Sequence, residues 1–231
     1  MTLSTEERVA RLARHVAGEF ESGQILGLGS GSTAEAVVRE IGERMTVETG
    51  FRVSGVATSM RTKTLAQSLG IPVVDLSDVT VIDLGFDGAD EIDPQLNLVK
   101  GRGGALLYEK LVAEICRDYL VVSTSEKLVD RLGTRLPLPV EVISYGWRHT
   151  ATRIVDLGLQ PTLRERDGEL FRTDAGNHIL DCTPDSAHDL LVVARDIKAI
   201  TGVVDHGVFP NLARRAAIAD PDGSVRTLRP I

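Results

Sequence analysis

Three short segments of the chain carry side chains with chemistry to perform. Asp87-Gly88-Ala89-Asp90-Glu91-Ile92-Asp93 places four carboxylates within seven residues, directly after an apolar run. Carboxylates this close repel one another unless they find cations, hydrogen-bond donors or a proton to share. An EF-hand calcium loop is one use for such a cluster, but acids at 87, 90, 91 and 93 lack its alternating spacing and its distant glutamate. A solvated turn is the plain alternative; the position at a strand's carboxyl end favours catalysis. Lys100-Gly101-Arg102-Gly103-Gly104-Ala105 then sets a lysine among glycines that allow close backbone approach, and leads into a helix carrying Glu109. The helical neighbours of Glu109 (Ala105, Leu106, Val112 and Ala113) are all apolar. A carboxyl facing such a surface is desolvated and its pKa rises toward the range of a general base at neutral pH.

The third segment is Gly27-Leu28-Gly29-Ser30-Gly31-Ser32-Thr33-Ala34, between a strand and a helix. Its glycines permit a tight turn, the helix start offers unpaired N–H groups to an anion, and Ser32 suits an N-cap. A dinucleotide site would place an acid about 20 residues on, at the end of the second strand. That strand instead ends in Ala57-Thr58-Ser59, and no G-x-x-x-x-G-K-[ST] is present. A phosphomonoester fits this loop better than a nucleotide. Lys127, in Ser125-Glu126-Lys127, reads alone as a surface lysine, but it follows another strand at the same sheet edge.

The elements that must position these groups follow from hydrophobic periodicity. Strands are expected at Gln24–Leu28, Phe51–Val56, Val79–Phe86 and Tyr119–Ser123. Helices are expected at Thr33–Met45, Arg61–Leu69 and Gly104–Cys116. This alternation predicts an α/β fold with a mainly parallel sheet whose ligands gather at the strands' carboxyl ends. After about Gly133 the pattern changes. Pro137 and Pro139 suggest an irregular segment, followed by a helix near Trp147–Leu157. Gln160–Arg164 and Glu169–Arg172 flank the hairpin turn Arg166-Asp167-Gly168, a strand is expected at Asn177–Asp181, and a helix at Asp185–Ile200. These make a smaller α+β lobe. Ala216–Ala219 and Val225–Leu228, around Pro221-Asp222-Gly223, are expected to rejoin the first sheet. The expected domains are residues 1–132 plus 207–231, and 133–206.

A net charge of −7 argues against a nucleic-acid partner, and 4% aromatic residues leave few stacking platforms. No apolar stretch is long enough to span a membrane, and the charged N-terminus does not read as a secretory signal, so a cytoplasmic protein is expected. Cys116 and Cys182 read as reduced core residues, and the five scattered histidines give no metal-ligand spacing.

Taken in order, these segments resemble ribose-5-phosphate isomerase of the A type, nearly from end to end. The resemblance rests on the glycine/serine loop at 27–34, Thr58-Ser59, Asp87–Ile92, Lys100–Glu109, Ser125–Lys127, Leu136–Ile143, Asp174–Asp181 and Gly202–Phe209. It implies an aldose–ketose isomerase of the pentose phosphate pathway that acts on ribose 5-phosphate and ribulose 5-phosphate. It further implies a Rossmann-like domain with a smaller, ferredoxin-like lid lobe, a homodimer or homotetramer, and no metal or organic cofactor. Glu109 would be the general base, with Asp87, Asp90 and Lys100 around the reacting end of the sugar. Ser30, Gly31, Ser32, Thr33 and Lys127 would hold the phosphate or neighbouring hydroxyls, and Gly88, Ala89, Gly101 and Gly103 would complete the binding loops. Two other readings compete. A sugar-phosphate sensor would need a DNA-binding module, for which the residues before the first strand are too few. An acyl-CoA transferase would use Glu109 as a nucleophile.

Overall fold

The computed structural model describes residues 3–184 and 189–231. The charged N-terminal segment forms helix α1 (Thr5–Ala17), which the strand-and-helix pattern above did not include. Its start is fixed by a capping box: the Ser4 hydroxyl accepts from the Glu7 N–H at 3.2 Å, and the Glu7 carboxylate accepts from the Ser4 N–H at 2.8 Å. Leu12, Ala13, Val16 and Ala17 give it a buried face.

The chain continues through β1 (Ile25–Leu28), α2 (Ser32–Val47), β2 (Ser54–Ala57), α3 (Met60–Ser68) and β3 (Ile82–Asp87). Two very short strands, β4 (Glu91–Ile92) and β5 (Leu98–Val99), precede α4 (Leu106–Glu114) and the long β6 (Cys116–Thr124). Next come β7 (Leu138–Val142), α5 (Trp147–Val155), β8 (Leu159–Leu163), β9 (Glu165–Arg166), β10 (Glu169–Leu170) and β11 (His178–Pro184). The chain closes with α6 (Leu190–Lys198), β12 (Val203–His206), β13 (Val208–Phe209), β14 (Arg215–Ala219) and β15 (Val225–Leu228).

The main sheet has the order β15-β14-β6-β3-β1-β2. All of its pairings are parallel except that of β14 with β15, so the tail does rejoin the first sheet. The fold is therefore α/β with a mainly parallel central sheet, as the alternating pattern predicted. Leu12 and Val16 of α1 and Val37 and Ile41 of α2 pack with Leu28, Phe86 and Leu120. Val112 of α4 packs with Val56 and Ile82, and Ala113 of α4 with Tyr119 and Val121. A second sheet, β12-β7-β11-β8, has its own core with Leu138, Val140, Ile154, Leu180, Val193 and Ile197.

Two local expectations are corrected. The segment with Pro137 and Pro139 is not irregular: Pro139 lies in β7, an inner strand between β11 and β12. Its carbonyl accepts from the Gly207 N–H at 2.7 Å, just where β12 ends. In a strand the N and C=O of one residue face the same side, so the missing proline donor falls at a ladder end and costs no pairing. The turn at Arg166-Asp167-Gly168 exists, with Asp167 and Gly168 both at positive φ, but it joins only β9 and β10. Gln160–Leu163 pairs with β11 instead. The last helix begins at Leu190, capped by Asp189, and the expected start at Asp185–His188 lies outside the described residues. Among the described residues no helix is long and apolar enough to cross a membrane.

The approach of β1 to β3 decides where the functional loops meet. A Cβ on Gly29 would lie 2.4 Å from the Phe86 carbonyl oxygen and 2.6 Å from Asp87 Cα, so only glycine allows this contact. Gly29→Ala should lower unfolding free energy by about 1–3 kcal/mol, read from urea denaturation. An unchanged midpoint would show that the strand ends can part without cost.

Candidate active site

Parallel pairing of β2, β1, β3 and β6 brings their carboxyl ends to one edge, and the loops that follow enclose a cleft of about 160 Å³. Ser30, Gly31, Ser32 and Thr33 line it from the β1–α2 loop, Gly88, Ala89 and Asp90 from the turn after β3. Lys100, Gly101 and Gly103 line it from the loop before α4, joined by Glu109 and Lys127. The structure thus brings together the residues expected from the sequence, and Asp87 lies directly behind Lys100.

The short β4–β5 ladder explains how the acidic turn meets the lysine. Glu91 pairs with Val99, so Asp90 stands opposite Lys100, and the Asp90 N–H donates to the Val99 carbonyl at 2.8 Å. The Lys100 N–H in turn donates to the Gly207 carbonyl at 2.8 Å. The four clustered carboxylates divide by partner. Glu91 is fully buried and accepts from the N–H groups of Gly133, Arg135 and Leu136. Asp93 accepts from the N–H groups of Gln95 and Asn97 and from the Asn97 amide. Both therefore fix local backbone. Asp87 and Asp90 remain for the cleft.

The centre of the cleft is a buried lysine shared by two carboxylates. Lys100 Nζ lies 3.2 Å from Asp87 Oδ2 and 3.3 Å from Glu109 Oε2, and all three side chains are almost wholly buried. Lys100 Nζ also donates to the Gly88 carbonyl. The two carboxylate oxygens are within ion-pair reach but are not aligned as hydrogen-bond acceptors. Asp87 Oδ1 accepts from the N–H groups of Ser30 at 3.0 Å and Gly88 at 2.7 Å. Burial pushes the Asp87 carboxyl up against the pull of Lys100. Burial would lower Lys100, but Asp87, Glu109 and Asp90 together hold its ammonium above the usual lysine value. Glu109 is pushed up to about 8, first by burial and then by the Asp87 charge, with Lys100 opposing. The apolar neighbours read from sequence are the cause: Leu106, Val112 and Ala113 are buried around it.

At the other end, α2 begins at Ser32, and its N-cap is Gly31 at φ 87°, with no side-chain cap. Ser32 is therefore the first helical residue rather than the cap, and the first-turn N–H groups stay open to an anion. Lys127, half-buried in the turn after β6, has no ion-pair partner among the described residues. The Ser30 hydroxyl is committed elsewhere, bonded to Thr58 at 2.8 Å, Ser59 at 2.9 Å and Thr62 at 3.3 Å. This hydroxyl cluster ties the glycine loop to the start of α3. Arg102 also lines the cleft, and its N–H donates to Asp90 Oδ2 at 3.0 Å. Sequence reasoning did not assign Arg102 a role, because nothing in its local pattern separates it from a solvated arginine.

A buried carboxyl of raised pKa beside an ammonium, facing an uncapped helix start across a small cleft, suits proton transfer on a small anionic substrate. On a mainly parallel α/β sheet this is the arrangement of a proton-transferring enzyme. The profile of the ribose 5-phosphate isomerase A (phosphoriboisomerase A) family matches residues 54–223. A relative named ribose-5-phosphate isomerase A from Thermomicrobium roseum is 48% identical over 223 residues, covering 96% of this chain and 93% of its own length. One of the same name from a Roseiflexus species is 47% identical, covering 95% of each chain. The solved ribose 5-phosphate isomerase A from Methanocaldococcus jannaschii superposes with a TM-score of 0.91 at 33% identity, over 98% of this chain and 100% of that one. A solved D-ribose-5-phosphate isomerase in complex with phospho-erythronic acid gives 0.93 at 32% identity, with the same coverage. The chain belongs to the ribose 5-phosphate isomerase A family and is an enzyme of that activity.

Glu109 ionises at about 8 in the folded chain against an ordinary value of 4.5. Between those values the folded chain keeps a proton that the unfolded chain has released. This group's favourable contribution is therefore complete below the lower value and is lost as pH rises through about 8. Glu109→Gln, neutral throughout, should gain stability relative to the parent on moving from about pH 5 to about pH 9. Denaturation midpoints at the two pH values check this, and a constant difference would contradict it.

Proposed function

We propose that Glu109 is the general base that carries the proton between C2 and C1 of open-chain ribose 5-phosphate, giving ribulose 5-phosphate through a cis-enediolate. The single observation that carries this reading is the Glu109 carboxyl, buried on the cleft 3.3 Å from Lys100 Nζ and raised to about 8. A base of that strength can both take a carbon-bound proton and give it back. Lys100 stabilises the negative charge that develops on the enediolate oxygens. Phosphate is held by the N–H groups at the start of α2, by Ser32 and Thr33, and by Lys127. That remote anchoring places C1 and C2 at the base.

Ring opening falls to Asp90 rather than Asp87. Both Asp87 oxygens are buried, one on two N–H groups and the other against Lys100, so Asp87 orients the lysine. Asp90 is only half-buried, lines the cleft and binds the Arg102 N–H through one oxygen, leaving the other for the sugar. The lid-lobe division, 133–206 against 1–132 plus 207–231, is supported by the separate four-stranded sheet, whose core also takes in Val99, Val129, Leu132 and Val208 of the larger domain.

Glu109→Gln should lower kcat for ribose 5-phosphate by about 10²–10⁴-fold while inorganic phosphate binding persists. Near-parental kcat would remove Glu109 from this role. Lys127→Ala should raise KM by about tenfold or more, the weight of a lost charged hydrogen bond, with kcat little changed; an unaltered KM would count against phosphate contact. Because the base must be ionised, kcat/KM should climb with pH and level off near 8, the value to which Glu109 is raised. A profile already flat from about pH 6 would contradict that assignment.

A further inference from the structure

The loop between Lys100 and α4 is gripped from outside the cleft. Arg164, at the junction of β8 with the β9–β10 ribbon, directs Nε at 2.8 Å and also Nη2 onto the Asp181 carboxylate. Its Nη1 donates to the Gly101 carbonyl at 2.8 Å and the Arg102 carbonyl at 3.1 Å. Arg166 donates to the Gly103 carbonyl at 3.2 Å. The Phe171 ring closes on the same loop, since a Cβ on Gly104 would meet its Cζ at 2.3 Å. Three successive carbonyls, 101 to 103, are thus held by arginines from one side.

A trans peptide is planar, with its C=O and N–H pointing in opposite directions. A carbonyl fixed on the outer side therefore aims the next N–H at the inner side. The Gly101 carbonyl does this for the Arg102 N–H, which reaches Asp90 Oδ2 at 3.0 Å. The Arg102 carbonyl does the same for the Gly103 N–H, which has no acceptor among the described residues and belongs to a residue lining the cleft. Arg164 has little freedom to do otherwise, because its side chain is 10% exposed and its fork is closed on Asp181. One ammonium cannot reproduce this pattern, since it has no planar fork that binds a carboxylate and two carbonyls together.

We propose that Arg164 is a positioning residue for the isomerisation. It orients the Gly103 N–H toward the enediolate oxygen and the Arg102 N–H toward Asp90, without touching the sugar. This rests on the reading that isomerisation runs in this cleft.

The test compares the parent, Arg164→Ala, Arg164→Lys and Asp181→Asn, with circular dichroism and melting to confirm folding. Each is assayed for turnover of ribose 5-phosphate and for binding of inorganic phosphate and of phospho-erythronic acid. In Arg164→Ala, kcat should fall about 10²-fold, the cost of one misaligned oxyanion donor, with KM within about threefold of the parent. Phospho-erythronic acid, whose carboxylate lies at the end away from its phosphate, should bind more weakly in step with kcat, while inorganic phosphate binding holds. Arg164→Lys should recover only part of the loss, and Asp181→Asn, which frees the guanidinium, should show an intermediate one. A folded Arg164→Ala within twofold of parental kcat overturns the proposal. So does an equal loss of inorganic phosphate binding, which would mean general collapse of the cleft. If Arg164→Ala fails to fold, Asp181→Asn decides by the same two criteria. A parent that binds phosphate but does not turn over ribose 5-phosphate would sink the functional reading instead.

Discussion

One ammonium held between two carboxylates governs this structure. Lys100 Nζ sits 3.2 Å from Asp87 and 3.3 Å from Glu109 with no side chain of the three open to solvent. At these distances each attraction is worth about 5 kcal/mol at an effective dielectric near 20, comparable with the several kcal/mol that desolvating each ion costs. One cation balances one carboxylate. The second then carries an uncompensated buried charge unless it takes up a proton, and Glu109 is that second group because backbone N–H groups already serve Asp87. Its raised pKa is therefore a consequence of charge count and burial, and the same excess suits it to the proposed role of base.

Backbone geometry creates that arrangement more than side-chain choice does. The close contact of Gly29 with β3 brings the Ser30 N–H onto Asp87, and the two-residue ladder between β4 and β5 puts Asp90 opposite Lys100. On the other side of α4, Lys110 Nζ pairs with Asp205 and donates to the His206 carbonyl at 2.7 Å. Adjacent helix residues face about 100° apart, so anchoring Lys110 to β12 leaves Glu109 facing the cleft.

Features that depend on local spacing were legible in the sequence. The acidic turn, the glycine loop and the apolar neighbours of Glu109 each lie within one turn or one loop, and the alternation of strands and helices announces a parallel sheet. What escaped depends on distant partners. Nothing local separates Glu91, which fixes backbone, from Asp87 and Asp90, because the difference lies in donors near residues 133–136. Strands of two residues such as β4, β5 and β13 are too short to show a period. Pro139 signals irregularity until the ladder end at Gly207 is known. Helix α1 was hidden by its charge, although Ser4 and Glu7 spell a capping box.

The overall charge of −7 and the binding of a phosphate are reconciled by the way charge is distributed in the cleft. On the proposed reading, the phosphate end offers an uncapped helix start at Gly31 and Lys127, which has no ion-pair partner among the described residues, while the reacting end holds Asp87, Asp90 and Glu109 around one lysine. On that reading a phosphosugar entering backwards would bring its dianion against Asp87 and Asp90, whereas the forward orientation pairs it with cationic groups and leaves the neutral carbonyl end at Glu109. Under the proposed function, orientation is set by repulsion as much as by attraction, which lets an acidic protein hold an anionic substrate.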